Sequence, residues 1–331
     1  MSAKTCLVTG GAGFIGSHLA EKLAALGHKV TAVDHLRYGS YCPKPGSGVT
    51  FLPLDVTDAR EVNKLVSRHE IVFHLAAVLG VRTTVTKPVD MIENNILGTL
   101  NILRAAHCHG SKVVFASSSE VYGKAKPPFA ERGDRLYGGG DKLRWSYALE
   151  KSLEEALCLG YGMKGLPVTV LRYFNIYGPR AKEGRYGGVI PRFIRAALAG
   201  QDIPVYGDGK QTRCFTYIDD AVEATVRAMA QKTNQEIINI GSTEEISIGE
   251  LACRVKRLTG TSSRIVYLPF EQVYPPGFEE IPNRYPDLGK ARCLLGYNPQ
   301  TCLEEGLKQT IAWHRCAASS NGGDCREWGN G

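Results

Sequence analysis

Short apolar runs alternate with longer amphipathic stretches through the first half of the chain. The apolar runs are typical of parallel strands covered on both faces, and the strands predicted from them are 5–9, 29–34, 49–53, 71–77, 112–117 and 167–173. The helices predicted between them are 17–26, 59–67, 89–108 and 142–159. This alternation predicts an α/β fold, a Rossmann-type doubly wound parallel sheet with right-handed crossovers.

The pattern loosens after about residue 177, where segments become shorter and richer in glycine and proline. A strand-like run at 236–241 is predicted to return to the main sheet. The expected units are a domain built on the parallel sheet at 1–175 and about 212–241, and a smaller C-terminal α+β domain at about 176–211 and 242–314. The polar, glycine-rich tail at 315–331 lacks periodicity and is predicted to be disordered.

Composition excludes several classes of protein. The 331 residues include 43% hydrophobic residues, which excludes disordered, collagenous and fibrous chains. The formal net charge of +7 is spread without any long basic run, so no nucleic-acid surface is expected. The apolar stretch near 71–81 is far shorter than the roughly 20 residues of a membrane helix. Without an apolar leader segment either, the chain is expected to be cytoplasmic and not membrane-bound.

The ten cysteines show no CxxC or Cys–His spacing typical of a metal site, so no metal is predicted. Most lie in apolar runs, and we predict reduced, buried residues. They are Cys6, Cys42, Cys108, Cys158, Cys214, Cys253, Cys293, Cys302, Cys316 and Cys325.

A glycine-rich turn, LVTGGAGFIG, joins the first predicted strand to the first helix. Gly10 permits the tight turn, Gly13 allows a pyrophosphate to approach the backbone, and Gly16 allows the helix to pack closely on the strand. Asp34 ends the next strand, where an acid binds the ribose hydroxyls of a dinucleotide. That acid favours NAD over NADP, although Arg37 lies nearby.

Further candidate residues follow the later strands. Asp55 and Val56 are placed for an adenine contact, while Asp55 could equally cap the next helix. His74 fits a structural role better than a catalytic one. Asn95 is either an exposed polar residue or a buried bridge to backbone, and the bridge is favoured.

Tyr147 and Lys151 lie one helical turn apart and share a helix face. A tyrosine with a pKa near 10 is a poor base at neutral pH. A neighbouring ammonium and the positive nicotinamide of NAD⁺ are expected to lower that pKa. In this chain the Tyr–Lys spacing is a specific sign of a catalytic pair, because the glycine-rich turn and three serines, 117–119, precede it.

These motifs resemble those of the extended short-chain dehydrogenase/reductase family, in particular its nucleotide-sugar epimerases, dehydratases and decarboxylases. The resemblance extends from about residue 4 to residue 314. The matching motifs are TGGAGFIGSHL (9–19), Asp34, HLAA (74–77), SSSEVYG (117–123), YxxxK (147–151), LRYFNIYGPR (171–180), YGDGKQTRCFTYIDD (206–220) and NIGS (239–242).

The resemblance implies roles for individual residues. The expected catalytic residues are Ser118, Ser119, Glu120, Tyr147, Lys151 and Arg284. The expected NAD contacts are Gly10, Gly13, Phe14, Ile15, Gly16, Asp34, Asp55, Val56, Leu75, Ala76, Ala77, Asn95, Tyr147, Lys151 and Tyr173. The expected contacts to a UDP-sugar substrate are Glu120, Asn175, Val189, Arg192, Tyr206, Gln211, Arg213 and Arg284. A homodimer through the helices near 89–108 and 144–159 is also implied.

Members of this family share a first step, in which the tyrosine takes the proton of the sugar 4-hydroxyl while hydride leaves C4 for NAD⁺. Re-reduction of the 4-ketone from the other face gives the epimer, and loss of water across C5–C6 gives dehydration. A carboxylate on C5 is β to the ketone, so that substrate loses CO₂.

Two features of the sequence help to choose between epimerisation, dehydration and decarboxylation. Ser119-Glu120 resembles UDP-glucuronate decarboxylases, and the lack of Asp at 119 argues against a 4,6-dehydratase. Arg284 matches an arginine that contacts the substrate carboxylate in UDP-glucuronate decarboxylases. However, an arginine near this point also binds the diphosphate in epimerases. A UDP-glucuronate decarboxylase producing UDP-xylose or its 4-keto precursor is therefore expected. The alternative is a UDP-hexose or UDP-hexuronate 4-epimerase. A non-enzymatic NAD-sensing relative is disfavoured because Tyr147 and Lys151 are both present.

Overall fold

The computed structural model describes residues 2–36, 41–44, 46–181, 188–274 and 278–319. Within these ranges the strands are β1 (Thr5–Thr9), β2 (Lys29–Asp34), β3 (Val49–Pro53), β4 (Ile71–His74), β5 (Lys112–Ser118), β6 (Val168–Tyr173), β7 (Ile176–Tyr177), β8 (Ile203–Tyr206), β9 (Thr212–Cys214), β10 (Thr216–Tyr217), β11 (Glu236–Ile240), β12 (Glu245–Ser247), β13 (Ile265–Leu268) and β14 (Asn283–Arg284). The helices are α1 (Phe14–Ala25), α2 (Ala59–Val66), α3 (Val81–Thr86), α4 (Pro88–His109), α5 (Ser146–Met163), α6 (Val189–Leu198), α7 (Ile218–Arg227), α8 (Ile248–Thr259), α9 (Phe270–Val273), α10 (Gly289–Leu295) and α11 (Leu303–Ser319). Single 3-10 turns lie at Ser119–Tyr122, Leu143–Trp145 and Gln231–Thr233.

Seven strands form one parallel sheet in the order β11-β6-β5-β4-β1-β2-β3. The chain runs outward from β1 to β3 and then returns to the other side of β1 with β4. This reversal opens a crevice at the carboxyl ends of β1 and β4, where doubly wound sheets bind ligands. The predicted Rossmann-type fold is confirmed, including the return of the strand at Glu236–Ile240, which pairs in parallel with β6.

Both faces of the sheet are covered, which explains the unbroken apolar runs. Val8 of β1 packs into a cluster that contains Leu19 of α1, whereas its neighbour Leu7 packs into a second cluster that contains Ile102 of α4. All three of the β1 residues at positions 6, 7 and 8 are at most 1% exposed. Successive side chains of one strand therefore enter two separate cores.

The later part of the chain forms smaller sheets against helices. Strand β9 lies between β12, which is antiparallel to it, and β14, which is parallel. The β9–β14 register sets Arg213 beside Arg284, although the two residues are far apart in the sequence. A second pair, β8 and β13, is parallel.

Several element boundaries differ from the prediction. Strand β4 ends at His74 rather than 77, because the backbone N–H groups of Leu75 and Ala76 turn to the Thr9 hydroxyl. Helix α5 begins at Ser146, after a 3-10 turn. Helix α3 was not predicted.

The predicted disorder of the tail is wrong for residues 315–319, which continue helix α11. The first part of that helix docks on the core through Leu303, Leu307 and Ile311, and the later turns propagate from this anchor. Residues 320–331 lie outside the described part of the chain.

The prediction that the cysteines are buried is wrong for most of those described. Cys6, Cys158 and Cys214 are buried, and Cys42 is half-buried. The exposed ones are Cys108, Cys253, Cys293, Cys302 and Cys316. All but Cys302 occupy the solvent-facing side of amphipathic helices, so an apolar sequence neighbourhood did not imply burial. Cys325 lies outside the described residues.

Among the described residues, no cluster of His, Cys, Asp and Glu could hold a metal ion. In the same residues no helix combines the length and the apolar character needed to cross a membrane.

Candidate active site

In the turn after β1, backbone atoms pack so close to each other that there is no room for a Cβ at key positions. Gly10 has a φ of +68°, and a Cβ there would lie 2.9 Å from the Ala76 backbone nitrogen. A Cβ on Gly13 would lie 3.0 Å from the Gly10 carbonyl oxygen, and one on Gly16 would overlap that same oxygen. Gly13 is also the N-cap of α1 and supplies no side-chain acceptor. The first N–H groups of the helix are thus available to an anionic ligand.

Asp34 closes the same turn from the end of β2. Its carboxylate accepts hydrogen bonds from the backbone N–H groups of Ala12 (3.3 Å) and Leu36 (2.9 Å). The carboxylate is thereby fixed beside the glycine turn, as a ribose-binding acid requires. Arg37, the residue that kept NADP as an alternative cofactor, lies outside the described residues.

A cavity of about 870 Å³ extends from this turn across the sheet edge to the later part of the chain. Every residue expected to contact NAD lines it: Gly10, Gly13, Phe14, Ile15, Gly16, Asp34, Asp55, Val56, Leu75, Ala76, Ala77, Asn95, Tyr147, Lys151 and Tyr173. The close glycine turn, the open helix N-terminus and the fixed acid fit a dinucleotide.

The structure resolves the alternatives left open for three polar residues. Asp55 accepts from the N–H and hydroxyl of Thr57 (3.0 and 2.8 Å), while the N-cap of α2 is Asp58. Asn95 is the buried bridge, because it bonds both the N–H (2.7 Å) and the carbonyl (2.8 Å) of Val78. His74 is buried between two threonine hydroxyls, and burial lowers its pKa to about 3, which fits a structural role.

Ser118, Tyr147 and Lys151 meet on one wall of the cavity. Lys151 Nζ lies 2.8 Å from a Glu154 oxygen and 6.0 Å from the centre of the Tyr147 ring. Ser118 Oγ accepts the Glu120 N–H (3.2 Å) at the start of the following 3-10 turn. A hydroxyl, a phenol and an ammonium therefore face the same space.

The pKa of Tyr147 is raised to about 12, chiefly by desolvation and in addition by nearby carboxylates including Glu150, while the charge of Lys151 opposes the rise. The lowering expected from Lys151 is present, but by itself it does not offset burial. Activation of the phenol therefore depends on further positive charge in the cavity, such as that of a nicotinamide.

Glu120 is held by two arginines behind the cavity wall. Its two oxygens accept from Arg144 Nη2 (2.8 Å) and from Arg284 Nη1 (2.6 Å). Burial raises its pKa, but the two guanidinium charges outweigh burial and hold the pKa well below its usual range. Ser119, Glu120 and Arg284 lie outside the lining that the described residues form, unlike the other expected catalytic residues.

The far end of the cavity is rich in guanidinium and aromatic groups. The expected substrate contacts that line it are Asn175, Val189, Arg192, Tyr206, Gln211 and Arg213. The Arg192 guanidinium lies 3.8 Å above the Tyr206 ring, and Gln211 Nε2 donates to the Tyr206 carbonyl oxygen (2.8 Å). Arg213 forms an ion pair with Glu280, and burial together with the charge of Arg284 lowers its pKa to about 10.

Sequence reasoning assigned no role at the site to several of its polar residues. Arg144 holds Glu120, Glu280 holds Arg213, and Glu150 and Glu154 flank Lys151. Arg144 had a usable signal, since it lies one helical turn before Tyr147. Glu280 lies in a segment rich in aromatic and acidic residues, but its partner could be found only from the fold.

Comparisons with known proteins place this geometry in a family. The model of the NAD dependent epimerase/dehydratase family matches residues 6–241. The chain is 59% identical over 314 residues to UDP-N-acetyl-alpha-D-glucosaminuronate decarboxylase of Bacillus cytotoxicus, covering 94% of this chain and 98% of that protein. It is 35% identical to UDP-glucuronic acid decarboxylase 1 of Xenopus tropicalis, covering 94% of this chain and 72% of that protein.

A solved structure extends the comparison to a ligand complex. UDP-glucuronic acid 4-epimerase from Bacillus cereus, in complex with UDP-glucuronic acid and NAD, superposes with a TM-score of 0.82 at 32% identity, covering 94% of this chain and 99% of that one. NAD, the cofactor predicted from the glycine turn and Asp34, is confirmed by the family match. The chain belongs to the NAD dependent epimerase/dehydratase family.

Proposed function

We propose that this chain is a UDP-uronate decarboxylase that oxidises the sugar at C4 and then releases CO₂. The observation that carries this proposal is the 59% identity, over nearly the whole of both chains, to a protein named as a UDP-uronate decarboxylase. Arg192 and Arg213, which line the far end of the cavity, support it, because guanidinium groups suit an anionic substrate.

Tyr147, Ser118 and Lys151 are proposed to oxidise C4. The Tyr147 oxygen takes the proton of the 4-hydroxyl, Ser118 hydrogen-bonds the same sugar oxygen, and the Lys151 ammonium favours the phenolate. NAD, when bound, accepts the hydride from C4. The residues that line the glycine-turn half of the cavity are proposed to hold it.

Decarboxylation follows from the position of the new ketone. When the bond between C5 and the carboxylate breaks, its electron pair moves toward the C4 oxygen, and CO₂ leaves. The O–H groups of Ser118 and Tyr147 are proposed to stabilise the negative charge that develops on that oxygen. Arg284 is proposed to orient the carboxylate, with Glu120 fixing the guanidinium from behind.

The substrate is proposed to be a UDP-linked hexuronate, with the N-acetylated glucosaminuronate favoured over glucuronate. The relative at 59% identity is named for the N-acetylated sugar, whereas the relative at 35% is named for glucuronic acid. Arg192, Tyr206, Gln211 and Arg213 are proposed to bind the UDP half, as part of a substrate-binding domain formed by the later segments.

The experiment is to incubate the protein with NAD⁺ and each UDP-uronate separately, and to follow CO₂ and product mass. We expect CO₂ and a UDP-pentose-type product lacking the carboxyl carbon, faster from the N-acetylated substrate. A product of unchanged mass inverted at C4 would instead establish the alternative, a 4-epimerase. That alternative is supported by the overall likeness to the Bacillus cereus 4-epimerase.

A homodimer is proposed from the outer face of the α4–α5 pair. Ile92 and Leu97 of α4 and Leu149 and Leu153 of α5 are 37–52% exposed. The two helices pack against each other, and Leu149 and Leu153 lie one turn apart on the exposed side of α5. A second copy that offers the same face would cover them in a four-helix contact.

A further inference from the structure

A buried hydrogen-bond chain connects the end of β1 to Lys151. Thr9 Oγ1 already accepts two backbone N–H groups, so its own proton goes to His74 Nδ1 (2.8 Å). The other ring nitrogen of His74, Nε2, then carries the proton and donates to Thr99 Oγ1 (3.1 Å). Thr99 in turn donates to Glu154, which also pairs with the Lys151 ammonium. The direction of every bond is thereby set, and Glu154 acts only as an acceptor.

Glu150 lies one turn before Glu154 and is 3% exposed. Its Oε1 accepts from Asn95 Nδ2 (2.8 Å), but its Oε2 is buried and meets no donor among the described residues. Two buried carboxyl groups thus face one ammonium, that of Lys151. If both were ionised, the cluster would hold an uncompensated negative charge away from water, which is costly.

A proton on Glu150 removes this cost. Glu154 Oε1 accepts from Thr99, and Glu154 Oε2 lies 2.8 Å from the Lys151 ammonium, which favours the ionised form of Glu154. Glu150 Oε2 meets no donor among the described residues, so the proton is assigned to this oxygen. A protonated Oε2 can donate to Glu154, and this carboxyl–carboxylate contact resembles the way paired acids share one proton.

We propose that Glu150 is a positioning residue that stores one proton beside Glu154, and that loss of this proton disfavours the phenolate form of Tyr147. The groups that face it are Tyr147, Lys151 and Glu154 from its own helix and Asn95 from α4. Glu120 from the 3-10 turn acts on Tyr147 at longer range, and the charge of Lys151 lowers the pKa of His74 in β4.

The expected ionisation falls in an accessible pH range. Burial raises the pKa of Glu150 to about 8, the charge of Lys151 opposes the rise, and Glu154 adds to it. Above that pH a second negative charge lies near the Tyr147 phenol and raises the pKa of Tyr147. The rate of C4 oxidation should therefore rise less steeply with pH in the wild type than in a variant that stays neutral.

A direct test is infrared spectroscopy of the protein without substrate, titrated from pH 6 to pH 10. We expect the C=O band of a neutral carboxylic acid at pH 7, lost with a midpoint near pH 8 and absent from Glu150→Gln. Gln is the matched variant because its amide preserves the Asn95 contact and can donate to Glu154. A band that persists in Glu150→Gln, or the absence of any such band at pH 7 in the wild type, would overturn the inference.

The kinetic arm rests on the proposed function. Glu150→Gln should oxidise C4 within about twofold of the wild-type rate at pH 7 and several-fold faster at pH 9. Parallel pH profiles would show that Glu150 does not act on Tyr147. Glu150→Leu, which also removes the Asn95 acceptor, separates a packing defect, since its rate should be lower than that of Glu150→Gln by the same factor at every pH. If no UDP sugar is oxidised, the proposed function fails while the infrared result still decides the state of Glu150.

Discussion

Glu120 shows how the environment of a single side chain sets its chemistry. The residue pair Ser119-Glu120 resembles a catalytic signature, yet the carboxylate is paired at both oxygens with Arg144 and Arg284. The two positive charges keep it ionised throughout the neutral range. It cannot donate a proton there, so its expected role is to hold the two guanidinium groups behind the cavity wall.

Glu120→Gln tests this role. An amide cannot neutralise the two arginines, so their geometry loosens, while the Tyr147–Lys151 wall keeps its own contacts. We expect C4 oxidation to persist and CO₂ release to slow by roughly tenfold or more, since such a charged hydrogen bond is worth about 1.5–3 kcal/mol. The measurement compares NADH absorbance with CO₂ in a single turnover.

Glu279→Gln is the control for Glu120→Gln. Glu279 pairs with Lys124 and Lys142 outside the cavity lining, so both steps should stay within about twofold of the wild type. Equal losses of oxidation and decarboxylation in Glu120→Gln would contradict the assigned role.

At the level of elements, the α4–α5 pair has two different faces. Its inner seam holds the polar bridge from Asn95 to Glu150, and its outer face presents Ile92, Leu97 and two leucines of α5. Helical periodicity puts both sets on the same two helices. The polar seam positions Lys151, and the apolar face offers an interface.

Replacing Leu149 and Leu153 together by Glu should separate the proposed dimer. Both side chains are 52% exposed, so the charges are tolerated in a monomer but would be buried in the contact. Sedimentation velocity should show a dimer for the wild type and a monomer for the double variant. Leu26→Glu, at a position 51% exposed near the end of α1, should remain dimeric. A wild-type monomer at micromolar concentration would refute the proposal.

At the level of the whole molecule, one cavity is lined by the edge of the main sheet and by the later segments. Gly10 and Asp34 lie at one end, and Arg192 and Arg213 lie at the other. Ligands bound at the two ends would each join segments that are distant in the sequence. The stability of the protein against unfolding should therefore increase when a ligand binds at either end of the cavity.

NAD⁺ and UDP should each raise the unfolding temperature. Ligand at about 100 times its Kd contributes about 2.7 kcal/mol, a shift of several degrees for a chain of this size. Scanning fluorimetry with each ligand and with both measures this, and the joint shift should exceed either alone. Asp34→Asn should reduce the NAD⁺ shift and leave the UDP shift unchanged. A UDP shift lost together with the NAD⁺ shift would contradict the division of the cavity.

The local pattern was enough to predict the elements of the main sheet, because strands buried on both faces must be apolar and the helices between them amphipathic. It also identified the glycine turn, Asp34 and the Tyr147–Lys151 pair, whose chemistry depends on spacing within one segment. Relations between distant segments were invisible to it. The predicted disorder of residues 315–319 failed for this reason. The predicted burial of the cysteines failed because most of the exposed ones lie on the solvent-facing side of helices.

The sequence by itself therefore determined the fold class, the cofactor and the wall of the cavity that carries Tyr147, since each depends on short-range periodicity or spacing. Only the tertiary structure decided that Arg284 lies beside Arg213, that Glu120 is clamped by two arginines, and that Glu150 shares a buried cluster with Lys151. These charge pairings arise when the register of strands and the packing of helices bring distant residues together. Burial then sets the protonation state of each group through desolvation, and burial is a property of the whole fold.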